Sequence, residues 1–352
     1  MAETLSRTRG MACALAVLLG AGPAAAPARG VGQFQIQLNL GPGLAANPDA
    51  AAAFRRAADD WQSRISNPIR INIDADLATF GDPNIIGQTG YGMGNFNLDY
   101  TTVRDLMAAR SLRPGDQILA YLPTTTQVSA NVPPQGTFDR ATIGILRANQ
   151  KALGLIPDAL NDTASDGNIA FNRAYTFDYD RSDGIDIGKI DFQTAATHEI
   201  GHVLGFVSDV DDFDFDPTLT DNATTLDLFR FNSGAKPKTF DEFRDFAREL
   251  RPGQPSVTSD TVVEYPMSTG ASNGDHHQAS HWQDDFLFEN GTITIGPTIG
   301  IMDPTLDYGR TEEITAADLR AMELIGYDTP EPGAAGMLVI AGAAMLARRR
   351  RA

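Results

Sequence analysis

From Thr194 to Gly205 the chain reads Thr-Ala-Ala-Thr-His-Glu-Ile-Gly-His-Val-Leu-Gly, and this stretch constrains the fold more than any other. Residues four apart on a helix project from one face, so His198 and His202 present two imidazoles to a common point only if the segment is helical. The apolar context and the glycine at 205 predict a helix that stops there. Two imidazoles at this spacing suit one Zn²⁺ at about 2.0–2.1 Å, with Glu199 offset toward a water whose proton it can take as general base. A chance match would leave histidine scattered along the chain. Instead the five histidines fall only at 198, 202, 276, 277 and 281.

Both ends carry patterns that are not part of a packed domain. Arg7 and Arg9 precede an apolar run from Met11 to Leu19 and the small residues Ala24-Ala25-Ala26-Pro27-Ala28, so residues 1–28 read as a secretory signal peptide. The run is too short to cross the ~30 Å of a bilayer core. The single cysteine, Cys13, lies inside it, which leaves the processed chain without disulfides and dependent on core packing and metals. At the other end Pro330-Glu331-Pro332, an apolar stretch from Ala334 to Ala347 and Arg348 to Arg351 follow in order. That order resembles the PEP-CTERM sorting signal of Gram-negative exported proteins. The resemblance implies export, sorting machinery as a partner, transient membrane contact through residues 329–352, and a periplasmic, cell-surface or extracellular-matrix location. A plain anchor would need a longer apolar run.

Between these ends, residues 29–328 predict one α+β domain, with room for two lobes around a cleft. Phe34 to Leu40 alternates apolar and polar as a half-buried strand does, and Ile69 to Ile73 alternates again. Phe54, Ala57, Ala58, Trp61 and Ile65 mark a helix over 51–65, and Val103, Leu106 and Met107 mark another over 102–111. Asp116 to Leu122 reads as a strand, 123–136 as an irregular loop, 142–155 as a strand running into a short helix, and 168–172 and 175–177 as short strands. Thr315 as N-cap and Gly326 as stop delimit a last helix. The formal net charge of −17 repels nucleic acid and anionic membranes, which excludes a polyanion partner.

His-Glu-Ile-Gly-His-Val-Leu-Gly-Phe, His198 to Phe206, resembles the metzincin motif of zinc metallopeptidases, in which the glycine after the second histidine turns the chain toward a third ligand. The compact form of that motif would place the ligand at position 208, which is serine here. Leishmanolysin-like metzincins instead insert a long segment before a distant histidine that is followed by tryptophan and, later, a Met-turn. Ala279-Ser280-His281-Trp282 and Gly300-Ile301-Met302-Asp303-Pro304 repeat that order over about 110 residues. The resemblance implies a metzincin-like catalytic domain with a twisted mixed sheet, an active-site helix and a Met-turn. It also implies His281 as third zinc ligand beside His198 and His202, Met302 as the floor beneath the metal, and a cysteine-free bacterial branch sorted by a PEP-CTERM signal.

The residues leave alternatives open. His276, His277 and Asp209 rival His281 as third ligand, and Glu242 or Glu249 in a helical stretch over 239–250 would serve in the other His-Glu-x-x-His clan. Asp209, Asp211, Asp212, Asp214 and Asp216 offer oxygen ligands to Ca²⁺ or form a solvated acidic loop. Tyr308, six residues past Met302, is a candidate oxyanion donor. The function that follows is a zinc-dependent endopeptidase hydrolysing extracytoplasmic proteins or peptides through a zinc-activated water, with Glu199 as base. The alternative is a non-catalytic zinc-containing surface or matrix binding protein, for which a carboxylate at 199 has no use. Mass spectrometry of protein recovered from an exporting Gram-negative host is expected to show a start near Arg29 and loss of the segment beyond Pro332. Recovery of the intact chain would contradict the reading of both ends.

Overall fold

Four extended segments, β1 (Gln35–Leu40), β2 (Arg70–Ala78), β3 (Gly87–Tyr91) and β4 (Gly167–Asn172), form the main sheet of the protein in the order β1-β2-β4-β3. The computed structural model describes residues 34–329 apart from 92–95, 114 and 290–291, all within one unit, Gly32–Ala352. The expected signal peptide, residues 1–28, and, beyond Thr329, the expected sorting segment lie outside the described residues. β1 pairs with β2 and β2 with β4 in parallel, whereas β3 runs antiparallel to β4 at the sheet edge, so the protein is α+β with a mixed sheet.

Parallel neighbours require a crossover, and α1 (Pro48–Gln62) supplies it between β1 and β2. Asn47 caps its first turn through Ala50 N, Pro48 opens it, and Phe54, Ala57, Ala58 and Trp61 face inward. Against α1 lies α2 (Phe192–Leu204), which carries the histidine pair. Asp191 caps it by accepting from Gln193 N and Thr194 N, and Gly205 ends it at φ 117°, a left-handed conformation that glycine adopts without strain. Trp61 Nε1 donates to Thr197 O at 2.9 Å, and Phe54, Phe171 and Phe192 pack as an aromatic cluster. The helix is therefore fixed to α1 and to β4 before any site chemistry is considered.

A second apolar cluster gathers Val103, Met107, Leu119, Phe213, Phe231 and Phe243. Arg248 is buried within it, its guanidinium 4.8 and 5.0 Å from the Phe231 and Phe243 rings and donating to Leu228 O and Phe246 O. Three expectations fail in or beside this region. Gln117–Tyr121 is a 3₁₀ turn, not a strand, because Ile118, Leu119 and Leu122 are buried on a helical spacing. The stretch 239–250 is no single helix: Phe240–Asp245 is helical, then Arg248–Glu249 pairs with Ala130–Asn131, a short strand inside the supposedly irregular 123–136. The acidic run is not a solvated loop but a helix over Val210–Phe215, with Asp209 and Asp214 buried.

Lys151 forms a fully buried ion pair with Asp166 (2.6 Å) and reaches Asp162 at 2.8 Å, while Arg147 donates to Asp162 at 2.7 Å. Burial raises the Asp162 carboxyl, but hydrogen bonds from Lys151 and Arg147 outweigh it and hold it at about 2. A carboxyl held below its unfolded value stabilises the fold above that value, and the contribution is lost as pH falls through the folded one. Urea unfolding of the parent and Asp162→Asn should therefore show a stability difference that is constant above about pH 5 and shrinks between about pH 4 and 2. A difference independent of pH over that range would reject the pairing as the cause.

Candidate metal centre

The turn after Leu204 and the return of a distant segment bring three imidazoles together. His198 Nε2 lies 3.1 Å from both His202 Nε2 and His281 Nε2, and the last two are 3.2 Å apart. Each ring's other nitrogen meets a backbone carbonyl: His198 Nδ1 donates to Ile301 O (2.8 Å), His202 Nδ1 to Phe206 O (2.8 Å) and His281 Nδ1 to Gln278 O (3.0 Å). A carbonyl only accepts, so in each neutral ring Nδ1 carries the proton and Nε2 is a bare lone pair. Three lone pairs converge with no donor among them. Protonation is disfavoured, because burial first, and for His202 and His281 the neighbouring imidazoles second, press the rings down: His198 to about 4, His202 to about 3, His281 well below its usual value. A cation satisfies such a cluster. Tetrahedral coordination at 2.0–2.1 Å would space the nitrogens about 3.3–3.4 Å apart, close to what is observed, so the donor set fits Zn²⁺ in number, softness and spacing.

The segment bearing His281 is anchored from both sides. Asp211, on the acidic helix, accepts from Ala279 N (2.6 Å), Ser280 N (3.0 Å) and Ser280 Oγ (2.6 Å), so part of that run is tied to the ligand loop. Asp214 likewise accepts from Ser272 N and Asn273 N. On the other side Trp282 N donates to Met302 O (2.9 Å), and Trp282 packs edge-on against Phe206. Met302 is fully buried under α2; a Cβ at Gly201 would stand 2.3 Å from its Sδ, so only glycine fits there.

Asp318, in α3 (Ala316–Leu324), holds the turn. Its Oδ1 accepts from Trp282 Nε1 (2.8 Å) and Met302 N (3.4 Å), and its Oδ2 from Ile301 N (2.9 Å) and Thr315 N (2.7 Å). Thr315 reciprocates as N-cap in a capping box. Glu199 sits against the sheet edge: Thr89 Oγ1 donates to its Oε2 at 2.6 Å, and a Cβ at Gly87 would fall 2.5 Å from Oε1. Burial raises its carboxyl to about 7, outweighing the Thr89 hydrogen bond, which places its proton exchange near neutrality.

The rivals for the third ligand stand elsewhere. His276 is exposed with φ 74°, and His277 Nε2 pairs with Asp284 Oδ2 at 3.0 Å. Asp209 is buried beside Gly144. Glu242 accepts from Lys238 N, and Glu249 pairs with Arg251, so neither joins the histidines. Tyr308 is 57% exposed and does not line the cleft, whereas Tyr91 does. Sequence reasoning missed Gly87, Thr89 and Asp318, and it named Asp211 only as a possible Ca²⁺ ligand, not as the acceptor that ties down the His281 loop. Of the three missed, only Asp318 left a trace, as the acidic residue three places after Thr315. A cleft of about 640 Å³ opens over the cluster, lined by Gly87, Thr89, His198, Glu199, His202 and His281 among others.

Compared with known proteins, the chain matches no family model, no curated protein and no solved structure. Replacing Asp318 by Ala leaves four buried donors without an acceptor, at a cost of about 3 kcal/mol or more. Equilibrium unfolding followed by tryptophan fluorescence, from Trp61 and Trp282 together, should show it. A loss under about 1 kcal/mol would mean that the turn holds without the carboxylate.

Proposed function

We propose that the protein is a zinc-dependent endopeptidase of the metzincin type, similar to leishmanolysin-like enzymes, acting on proteins or peptides outside the cytoplasm. The observation that carries this reading is the convergence of three singly protonated imidazoles, Nε2 inward, next to a carboxylate raised to about 7. A structural zinc site requires no such carboxylate. Export and C-terminal sorting belong to the same proposal through the terminal motifs.

His198, His202 and His281 would hold the zinc, which when bound polarises the peptide carbonyl and acidifies water. The remaining steps fall to the chain's own groups. β3 is an edge strand bordering the cleft, so its free backbone groups can pair with an extended peptide and hold the scissile bond over the histidines. Thr89, on that strand, keeps the Glu199 carboxylate turned toward the cleft. Glu199 takes the proton of the attacking water and, with a carboxyl that exchanges near neutrality, returns it to the leaving amine. Tyr91 brings a phenol to the same wall; it is 40% exposed, and the nearby carboxylates, Asp211 and Glu199 among them, favour its protonated form, which can donate.

The test is zinc content and casein cleavage of the purified full chain, Glu199→Gln and His281→Ala. Glu199→Gln should retain zinc at parent stoichiometry and lose activity by about 10²-fold or more. His281→Ala should lose zinc to a competing chelator far sooner than His276→Ala, His277→Ala or Asp209→Ala. Parent-like proteolysis in Glu199→Gln would remove the mechanism, and zinc without any proteolysis in the parent would favour the binding-protein alternative.

A further inference from the structure

The cleft wall is one-sided in charge. Among the described residues it is lined by Asp82, Glu199, Asp303 and Glu312 and by no Lys or Arg. Two acidic neighbours just behind it are already matched, Asp284 by His277 at 3.0 Å and Asp285 by Arg310 at 2.7 Å. Although carboxylate oxygens of Asp284, Asp285 and Asp303 lie within 4.8 Å of one another, those two pairings supply the positive charge a bound metal would otherwise bring. Glu312 is different. It is only 7% exposed, its Oε1 is buried without a hydrogen-bond partner, and no ion pair forms on its carboxylate among the described residues. Burial and the adjacent Asp303 charge push its carboxyl up to about 9, and burial pushes Asp303 to about 7. Burial is the larger cause of both shifts, and an entering cation would take the place of a retained proton.

The position of Glu312 ties it to the reaction. Its backbone N–H donates to Thr194 Oγ1 at 3.0 Å, and Thr194 precedes His198 by four residues of α2, about 6 Å along the axis. Ile86, Ala195 and Leu306 border the same cleft and offer apolar contact to a long aliphatic stem. A lysine or arginine side chain combines such a stem with a charged end.

Resting on the endopeptidase reading, we infer that Glu312, assisted by Asp303, forms a specificity pocket for a basic side chain, so that the protein prefers peptides with Lys or Arg beside the cleaved bond. The peptide backbone along β3 would place the side chain adjoining the scissile bond over Thr194 and Ala195, with its charged end at Glu312, since the nearby His277 and Arg310 are held by Asp284 and Asp285.

The experiment measures kcat/KM of the zinc-loaded full chain on peptides differing only in Lys, Arg, Gln or Glu at one residue beside the cleaved bond. Lys and Arg should exceed Gln by about 10-fold or more, as for a hydrogen-bonded charge pair, with Glu below Gln. Glu312→Gln should abolish the preference, and Asp303→Asn should reduce it, with thermal melts showing that each variant is folded. Equal rates for all four peptides, or a preference unchanged in both variants, would overturn the pocket while leaving the endopeptidase intact. If the parent cleaves none of the peptides, the endopeptidase reading fails, and fluorescence anisotropy of labelled Lys and Glu peptides on Glu199→Gln still decides the pocket. Tighter binding of the Lys peptide, lost when Glu312→Gln is added, supports it; equal binding overturns it.

Discussion

Asp318 is fully buried, and its carboxylate is the acceptor around which two of the three imidazoles are aligned. Ile301 gives its N–H to Asp318 and its carbonyl to His198 Nδ1, so the same peptide segment reads the position of the carboxylate and transmits it to the ring. Trp282, bonded to the other oxygen, is the residue next to His281. Gly300 permits the approach, since a Cβ there would stand 2.2 Å from Oδ2. The third imidazole is set independently, by Phe206 O just past the left-handed Gly205. A buried anion without a cation partner is costly unless its oxygens are filled with donors, and here the donors belong to the turn whose placement matters.

The backbone carbonyls give the cluster its chemical character. Acidic partners on the Nδ1 positions would add negative charge and raise ring basicity, whereas carbonyls fix the tautomer and leave the rings neutral. Glu199, on the histidine helix itself, has its carboxylate held from β3 by Thr89. Charge in the cleft is thereby concentrated on groups that can meet substrate.

Local pattern made much of this visible in the sequence. The Asp191 to Gly205 helix, the alternating β1 and the capped helix at 315 depend on neighbours in the chain, and periodicity reports them. The juxtaposition of His281 with His198 and His202 was legible only through the order of motifs, since no spacing rule links residues so far apart. What stayed hidden depended on partners supplied by tertiary structure. The acidic run looked solvated because the donors to Asp211 and Asp214 are not local: they are the N–H groups of Ala279, Ser280, Ser272 and Asn273, 58 to 69 residues away. Gly87 and Thr89 carried no signal, because the need for a small residue and a hydroxyl arises only where β3 meets Glu199. Arg248 and Glu249 were read as helical because burial of an arginine over two phenylalanine rings overrides propensity.

The bonds around Asp318 span short stretches of chain: 17 residues to Ile301, 36 to Trp282, with Ser268 Oγ reaching Trp282 O over 14. The helix of His198 and His202 closes its own ends through Asp191 and Gly205. Loop-closure entropy rises with the length closed, so the contacts within each half cost less to close than those that join His198 to Ile301 and Ser208 to Ser280. In topological terms the centre is a joint between two assemblies, each held mainly by contacts of shorter range than the joint itself.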